Sequence, residues 1–250
     1  MTQTQWLIII ICGVVLSLIV RIILEVIKSR REKPVYRALA DSLNFTLSEH
    51  PGMEIMPRKD EFFLFRSKSS QGIPIMLSGS IENMEVKVLD YSYSTFSATA
   101  ERQRPPKLQT LVVFQCPDHR WPDFMMKPDS FAMRLPGILG VKDIDFDDAP
   151  EFSKQYFLNG SDEVSIRRVF RKEVTDAFAR RRGWCMEAHG DVIVFWRKDK
   201  RIPPKRIRHF LEETIGLLRL LARNLEPLTG GSPRPLPHSW NTKMQSGVSD

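Results

Sequence analysis

The feature that most constrains this chain is an uncharged apolar run from Trp6 to Val20. Past Arg21 the run continues through Ile22, Ile23, Leu24 and Val26 to Ile27, 22 residues in all. As a helix this is about 33 Å long, matching a hydrocarbon core of about 30 Å. Arg21 and Glu25 stand one turn apart near its end, where the pair partly neutralises itself and the arginine stem reaches toward the interface. Thr2, Gln3, Thr4 and Gln5 carry no positive charge and no small-residue cleavage site follows the run, so the sequence predicts a retained anchor rather than a signal peptide. Lys28, Arg30, Arg31 and Lys33 follow the run and no basic residue precedes it. The positive-inside rule therefore predicts a single-pass protein of the plasma (inner) membrane with its C-terminal domain in the cytoplasm.

The rest is a folded domain of ordinary composition, with 42% apolar and 27% charged residues in a chain of 250. The pattern divides the chain into a short exposed N-terminus at 1–5, a transmembrane helix at 6–27, a basic juxtamembrane segment at 28–33, a soluble domain at 34–225 and a Pro/Gly/Ser tail at 226–250. The tail has little to bury and is expected to be disordered. Pro34 predicts that the first helix stops at Lys33 and a second begins, with Val35, Ala38, Leu39 and Leu43 on its apolar face.

Alternating patterns predict strands near Phe62–Arg66, Ile73–Ser78, Glu85–Tyr93 and Leu108–Cys116, with a hairpin turn at Glu82 and Asn83. The third has a change of face between Val88 and Tyr91 that predicts a bulge, and Ser94–Lys107 reads as a loop. Further strands are expected at Phe124–Met126 and Phe152–Leu158, with a helical segment after Pro128. A helix capped by Ser161 is expected to run to about Arg182. A hairpin of Trp184–Ala188 and Val192–Trp196 turns at Gly190 and Asp191, and a last helix covers Pro204–Leu225. Strand clusters flanked by helices predict α+β: an antiparallel-sheet domain with two sub-sheets.

The stretch from Ile144, reading IDFDDAPEFSKQYFLNGSDEVSIRRVF, resembles a signature of uncharacterised bacterial proteins that have one N-terminal membrane segment and an α+β soluble domain. The hairpin ending in Val88, Leu89, Asp90 and Tyr91, and the segment Pro122, Asp123, Phe124 with Lys127 and Pro128, are similar to the same group. The resemblance covers about Pro34 to Leu225 and implies a bacterial, membrane-anchored protein. It implies no activity, cofactor or catalytic residue.

The sharpest polar cluster is Asp143, Asp145, Asp147 and Asp148. Alternation with Ile144 and Phe146 places Asp143, Asp145 and Asp147 on one face of an extended segment, at a spacing that could bracket a divalent cation. The competing and favoured reading is an acidic turn whose two apolar residues plug the core, because no histidine accompanies it. Cys116 with His119 and Cys185 with His189 offer zinc ligand types, but on a strand Cys185 and His189 stand about 13 Å apart, too far for one ion. No nucleophile elbow or phosphate loop is present. The chain therefore reads as an interaction or scaffold module at the membrane, leaning away from an enzyme, with no cofactor. The alternative is a membrane-tethered, metal-dependent hydrolase built on Asp143 to Asp148.

Positive charge, a net +7, concentrates in three places. Lys28, Arg30, Arg31 and Lys33 flank the anchor. Arg197, Lys198, Lys200, Arg201, Lys205, Arg206 and Arg208 form a second group, and Arg167–Arg182 a third. Beside a cytoplasmic leaflet such groups favour anionic lipid head groups. Nucleic acid is disfavoured, because no recognised binding fold appears and aromatic residues do not interleave with the basic runs. Arg167 is expected to pair within its helix with Asp162 or Glu163. An unidentified protein partner completes the expected contacts.

Overall fold

A computed structural model describes residues 3–66, 70–94, 106–129 and 142–225. Expectations placed on the loop at 95–105, the helical segment at 130–141 and the tail at 226–250 lie outside the described residues. The strands are β1 (Thr46–Glu49), β2 (Ser70–Ile81), β3 (Met84–Ser94), β4 (Lys107–Gln115), β5 (Trp121–Pro128), β6 (Tyr156–Gly160), β7 (Trp184–Gly190) and β8 (Val192–Arg197). The helices are α1 (Gln3–Leu43), α2 (Phe63–Arg66), α3 (Pro150–Ser153), α4 (Glu163–Val169), α5 (Lys172–Ala179) and α6 (Pro204–Ala222).

The fold is α+β, as the pattern predicts, but the two sub-sheets are halves of one antiparallel sheet in the order β1-β2-β3-β4-β8-β7-β5-β6. Pairing of β4 with β8, from Leu111 opposite Trp196 to Gln115 opposite Val192, joins them. The reason lies in the residues. Leu111–Phe114 and Val192–Trp196 are apolar without alternation, which suits central strands buried on both faces and would make exposed sheet edges sticky.

Side chains alternate across the sheet into two cores. One holds Val86, Val88, Val112, Phe114, Ile193, Phe195, Trp184 and Met186 beneath Tyr36, Ala40 and Leu43 of α1 and the apolar faces of α4, α5 and α6. The other holds Leu89, Tyr91, Leu111, Val113, Val194 and Trp196 beneath Met56, Phe62, Leu64 and Phe65.

Several local expectations are corrected. Helix α1 passes through Pro34 without a break. Proline there removes one backbone hydrogen bond, while burial of Tyr36, Ala40 and Leu43 just beyond it draws the helix onto the sheet. Phe62–Arg66 contains a helical turn instead of a strand, and Thr46–Glu49 forms an edge strand too short to show a period. Residues 150–153 are helical before β6 begins. The bulge lies in β2, between Gly72 and Ile75 where Pro74 cannot donate, and β3 runs on unbroken. The helix expected from Ser161 to Arg182 is two helices, broken at Phe170 and Arg171, and its cap is Asp162, whose carboxylate accepts from Ser165 N at 3.1 Å. The break lets Phe170 stand edge-on against Phe124 with ring centroids 5.1 Å apart.

The β5–β6 edge of the sheet is tightly joined to α4 at Gly160. A Cβ there would lie 2.1 Å from the Asp123 carbonyl oxygen and 2.4 Å from Ile166 Cδ1. Gly160→Ala is expected to cost about 1–3 kcal/mol in urea unfolding; a loss under about 0.5 kcal/mol, typical of a surface change, would contradict that packing.

Candidate functional site

The most heavily partnered polar group is Asp90, in the middle of β3 and 2% exposed. An ionised carboxylate at that depth needs donors on both oxygens. Oδ1 accepts from Thr110 Oγ1 of β4 at 2.8 Å. Oδ2 accepts from Arg201 Nε at 2.6 Å and from the Tyr36 hydroxyl of α1 at 3.0 Å. The rest of the Arg201 guanidinium grips Glu32 of α1 with two bonds, of 3.0 and 2.6 Å. Thr110 also fixes the turn that delivers Arg201, since its N–H donates to the Lys200 carbonyl at 3.0 Å and its hydroxyl accepts from Ile202 N at 2.8 Å.

Hydrogen bonding to Glu32 outweighs burial in holding Arg201 charged, with Asp90 adding to it. Burial, and then Asp90, push the Tyr36 hydroxyl well above the ordinary tyrosine range, so it stays a neutral donor. Every charge in this group is answered, which makes it a clamp between α1, the sheet and the turn before α6. Removing one partner of a buried pair leaves the other uncompensated. Arg201→Ala should therefore lower the stability by about 3 kcal/mol in urea unfolding, and an unchanged midpoint would remove the clamp from the account.

The clamp also re-sorts the basic residues expected at the membrane surface. Arg201, half-buried, belongs to it, its guanidinium bonded to Asp90, Glu32 and Tyr36. Arg197 lies over the Trp184 ring, 4.2 Å from its centroid, with Nη1 donating to the Arg182 carbonyl at 2.5 Å. Arg208 donates to Ser42 Oγ at 2.6 Å, and Lys33 pairs with Glu49 at 2.7 Å. Lys200, Lys205 and Arg206 are exposed, as is Arg31, and Lys198 is half-buried. The side chains of Lys28 and Arg30 lie outside the described residues.

In the acidic cluster, Ile144 and Phe146 are buried and plug the core. Asp143 Oδ1 accepts from Leu158 N at 2.9 Å, and partial burial raises its carboxyl above the usual range. Ile144 N donates to the Leu158 carbonyl at 2.8 Å, so this segment lines the outer edge of β6. Asp145, Asp147 and Asp148 are exposed. Arg167 pairs with Glu163 at 2.7 Å and donates to the Asp145 carbonyl at 2.9 Å. Among the described residues, no three histidine, cysteine, aspartate or glutamate side chains are grouped to hold a metal ion. Cys116 and Cys185 lie in cores on opposite faces of the sheet, and burial pushes each thiol up to about 12.

A second polar group, of which the sequence singled out only His189, lies on the far face of β7. Glu187 is 2% exposed and its oxygens accept from Phe63 N at 2.5 Å and Leu64 N at 3.0 Å, capping the turn that α2 begins. His189 Nε2 stands 3.2 Å from Glu187 Oε1 and its Nδ1 3.3 Å from Asp123 Oδ1. The Phe62 ring packs edge-on against the imidazole at 4.8 Å. Burial opposes the imidazolium, yet the Glu187 and Asp123 carboxylates together raise the His189 pKa above its ordinary value. Asp90 and Glu187 do carry a sequence signal: each is an acid flanked on both sides by apolar or aromatic residues within a strand, where only a partnered carboxylate can stay.

A histidine whose folded pKa exceeds its unfolded value adds stability that is complete below about pH 6.5 and fades as pH rises through the folded pKa. The thermal midpoint advantage of the parent chain over His189→Gln should be widest from about pH 5 to 6.5 and shrink above it. A gap that holds constant or widens with pH would show that the imidazolium adds nothing.

A shallow depression of about 400 Å³ between Ser80, Glu82, Asn83 and Gln115 is open to solvent and presents no paired acid and base. No family model matches this chain, and no curated protein is similar to it. Among solved structures, the crystal structure of the mycobacterial trehalose monomycolate transport factor A, TtfA, is similar at 11% identity and a TM-score of 0.46, over 78% of this chain and 96% of that one.

Proposed function

We propose that the chain is a single-pass membrane protein whose α+β domain works as an interaction or scaffold module held against the cytoplasmic face of the plasma membrane. The observation that carries this reading is the two-part character of α1, 41 residues without a break. Its first part bears Trp6, Ile11, Val15, Leu16, Ile19 and Val20, all exposed. Its last part, from Glu32, is bound into the domain by the Asp90 clamp. Apolar side chains exposed along a helix call for an apolar surround, and the sequence continues them to Ile27, interrupted by the charges of Arg21 and Glu25. Among the described residues no helix is long and apolar enough to cross a membrane; the side chains at 7–10, 14, 18 and 21–30 lie outside them.

Five residues of helix from Ile27 to Glu32 correspond to about 7.5 Å. The domain would therefore sit at the head groups with little freedom to swing, unlike a domain on a flexible linker. The basic residues at 28–33 assign that side to the cytoplasm. Alkaline carbonate extraction of membranes from a bacterial host should leave the full chain in the pellet. A C-terminal green fluorescent protein fusion should fluoresce and an alkaline phosphatase fusion should be inactive. Release by carbonate would refute the anchor, and phosphatase activity would invert the topology.

A further inference from the structure

Strand register gathers the ends of β3, β4, β8 and β7 at the side of the sheet where α1 joins it. Tyr93 stands opposite Lys107, Leu111 opposite Trp196 and Trp184 opposite Arg197. The α5–β7 turn, Arg180, Arg181 and Arg182, therefore lies beside the β8–α6 turn, and the Arg197 bond to the Arg182 carbonyl fastens one to the other. Arg201 in the second turn holds Glu32 of α1. Arginines 180–182, Lys200, Lys205 and Arg206 are all exposed.

Several acids at this end have cationic partners, and Asp129, Asp147, Asp148 and Glu151 lie at the same end along the β5–β6 edge. Asp199 is held ionised, against partial burial, by Lys107 at 2.7 Å and the Tyr93 hydroxyl at 2.5 Å. Glu32 is taken by Arg201 and Glu49 by Lys33. Arg197, leaning on Trp184, has Glu213 at 3.9 Å. At the opposite end Glu82 pairs with Arg219, Glu85 with Lys87, and Asp191 has Arg58 and Arg120 near it, while the turns there also carry Asp118 and Asp162. The exposed arginines and lysines of the α5–β7 and β8–α6 turns thus form a basic patch at the end where α1 enters from the apolar run.

We propose that this basic end is a docking face for anionic phospholipid head groups of the bilayer that holds α1, with Arg180, Arg181, Arg182, Lys200 and Arg206 as its contacts. The inference rests on the membrane-anchored reading and adds the ligand class and the residues. Guanidinium groups bind phosphate with two parallel hydrogen bonds. Glu32, which Arg201 of the β8–α6 turn grips, lies about 7.5 Å along the helix from the end of the run, within a Debye length of leaflet charge. Each basic residue at such a surface shifts the docked-to-undocked ratio by roughly fivefold.

The test uses the full chain in liposomes, with Cys12→Ser, Lys200→Cys and an environment-sensitive fluorophore on residue 200; Cys116 and Cys185 are buried. With about 30 mol% phosphatidylglycerol in phosphatidylcholine, emission should shift to the blue, and about 0.5 M salt should reverse it. A label on Asn83→Cys at the opposite end should not respond. Arg180→Glu, Arg181→Glu and Arg182→Glu together should lower the docked ratio by roughly 100-fold or more. Lys205→Gln with Arg206→Gln, on the exposed first turn of α6, should give a smaller loss should the triple variant fail to fold.

An equal shift in pure phosphatidylcholine, full response in both variants, or a larger response to single-stranded RNA added to neutral liposomes than to phosphatidylglycerol would overturn the docking face. Flotation after carbonate treatment separates the two readings. A chain that floats without a lipid-dependent shift defeats the docking face alone, and one that does not float defeats the anchor and the face together.

Discussion

A carboxylate buried in a sheet must be answered by donors, and Asp90 is answered by three different parts of the chain. Tyr36 arrives from α1, Thr110 from the neighbouring strand, and Arg201 from the turn before α6. The requirement is strict because an unpaired charge in a medium of low dielectric costs several kcal/mol. Glu32 then completes the set by taking the outer edge of Arg201. Glu32 and Tyr36 stand four residues apart on α1, each about half a turn from Pro34, which lacks its N–H. The same bonds that tie the helix to the sheet thus bridge the place where its own ladder is weakest.

Much else follows from this constraint. Because α1 is fixed at one end of the sheet, the loops at that end acquire a common direction. The turns at 180–183 and 198–203 become neighbours through the pairing of β7 with β8, and the acids in direct contact with the second turn, Asp199 and Glu32, are matched to Lys107 and Arg201. What remains is a cationic surface at the foot of an apolar helix. At the other face of the sheet Glu187 does comparable work, collecting the N–H groups of Phe63 and Leu64 and the imidazole of His189 around one carboxylate. In both places a buried strand acid holds a segment more than a hundred residues away in sequence, Arg201 for Asp90 and Phe63–Leu64 for Glu187.

The legible parts of this fold are those governed by neighbours along the chain. The hairpins turning at Glu82–Asn83 and Gly190–Asp191 follow from short-range turn chemistry, and Glu82 and Gly190 do adopt positive φ. Ile144 and Phe146 buried between aspartates, and the Arg167–Glu163 pair, are local patterns of the same kind. Phe62–Arg66 was misleading because its alternation suits a strand, while its conformation is set by a carboxylate 123 residues further on. The helix after Asp162 breaks because Phe170 is drawn toward Phe124 and Phe152, a choice no helical period records. In the candidate site, the basic composition of residues 197–208 is plain from sequence. That Arg201 turns inward while Lys200 turns outward is not, since both lie in a short turn without periodicity.

By itself, then, the sequence determined the apolar run, the charge flanking it, the antiparallel α+β class and the approximate position of most strands, because each depends on local composition and period. Only the tertiary structure decided that the two strand clusters form one sheet, that α1 runs unbroken through Pro34 into the domain, and which basic residues face outward. Those outcomes depend on burial and on the pairing of charges distant in sequence, whose energies exist only once the chain has closed around them.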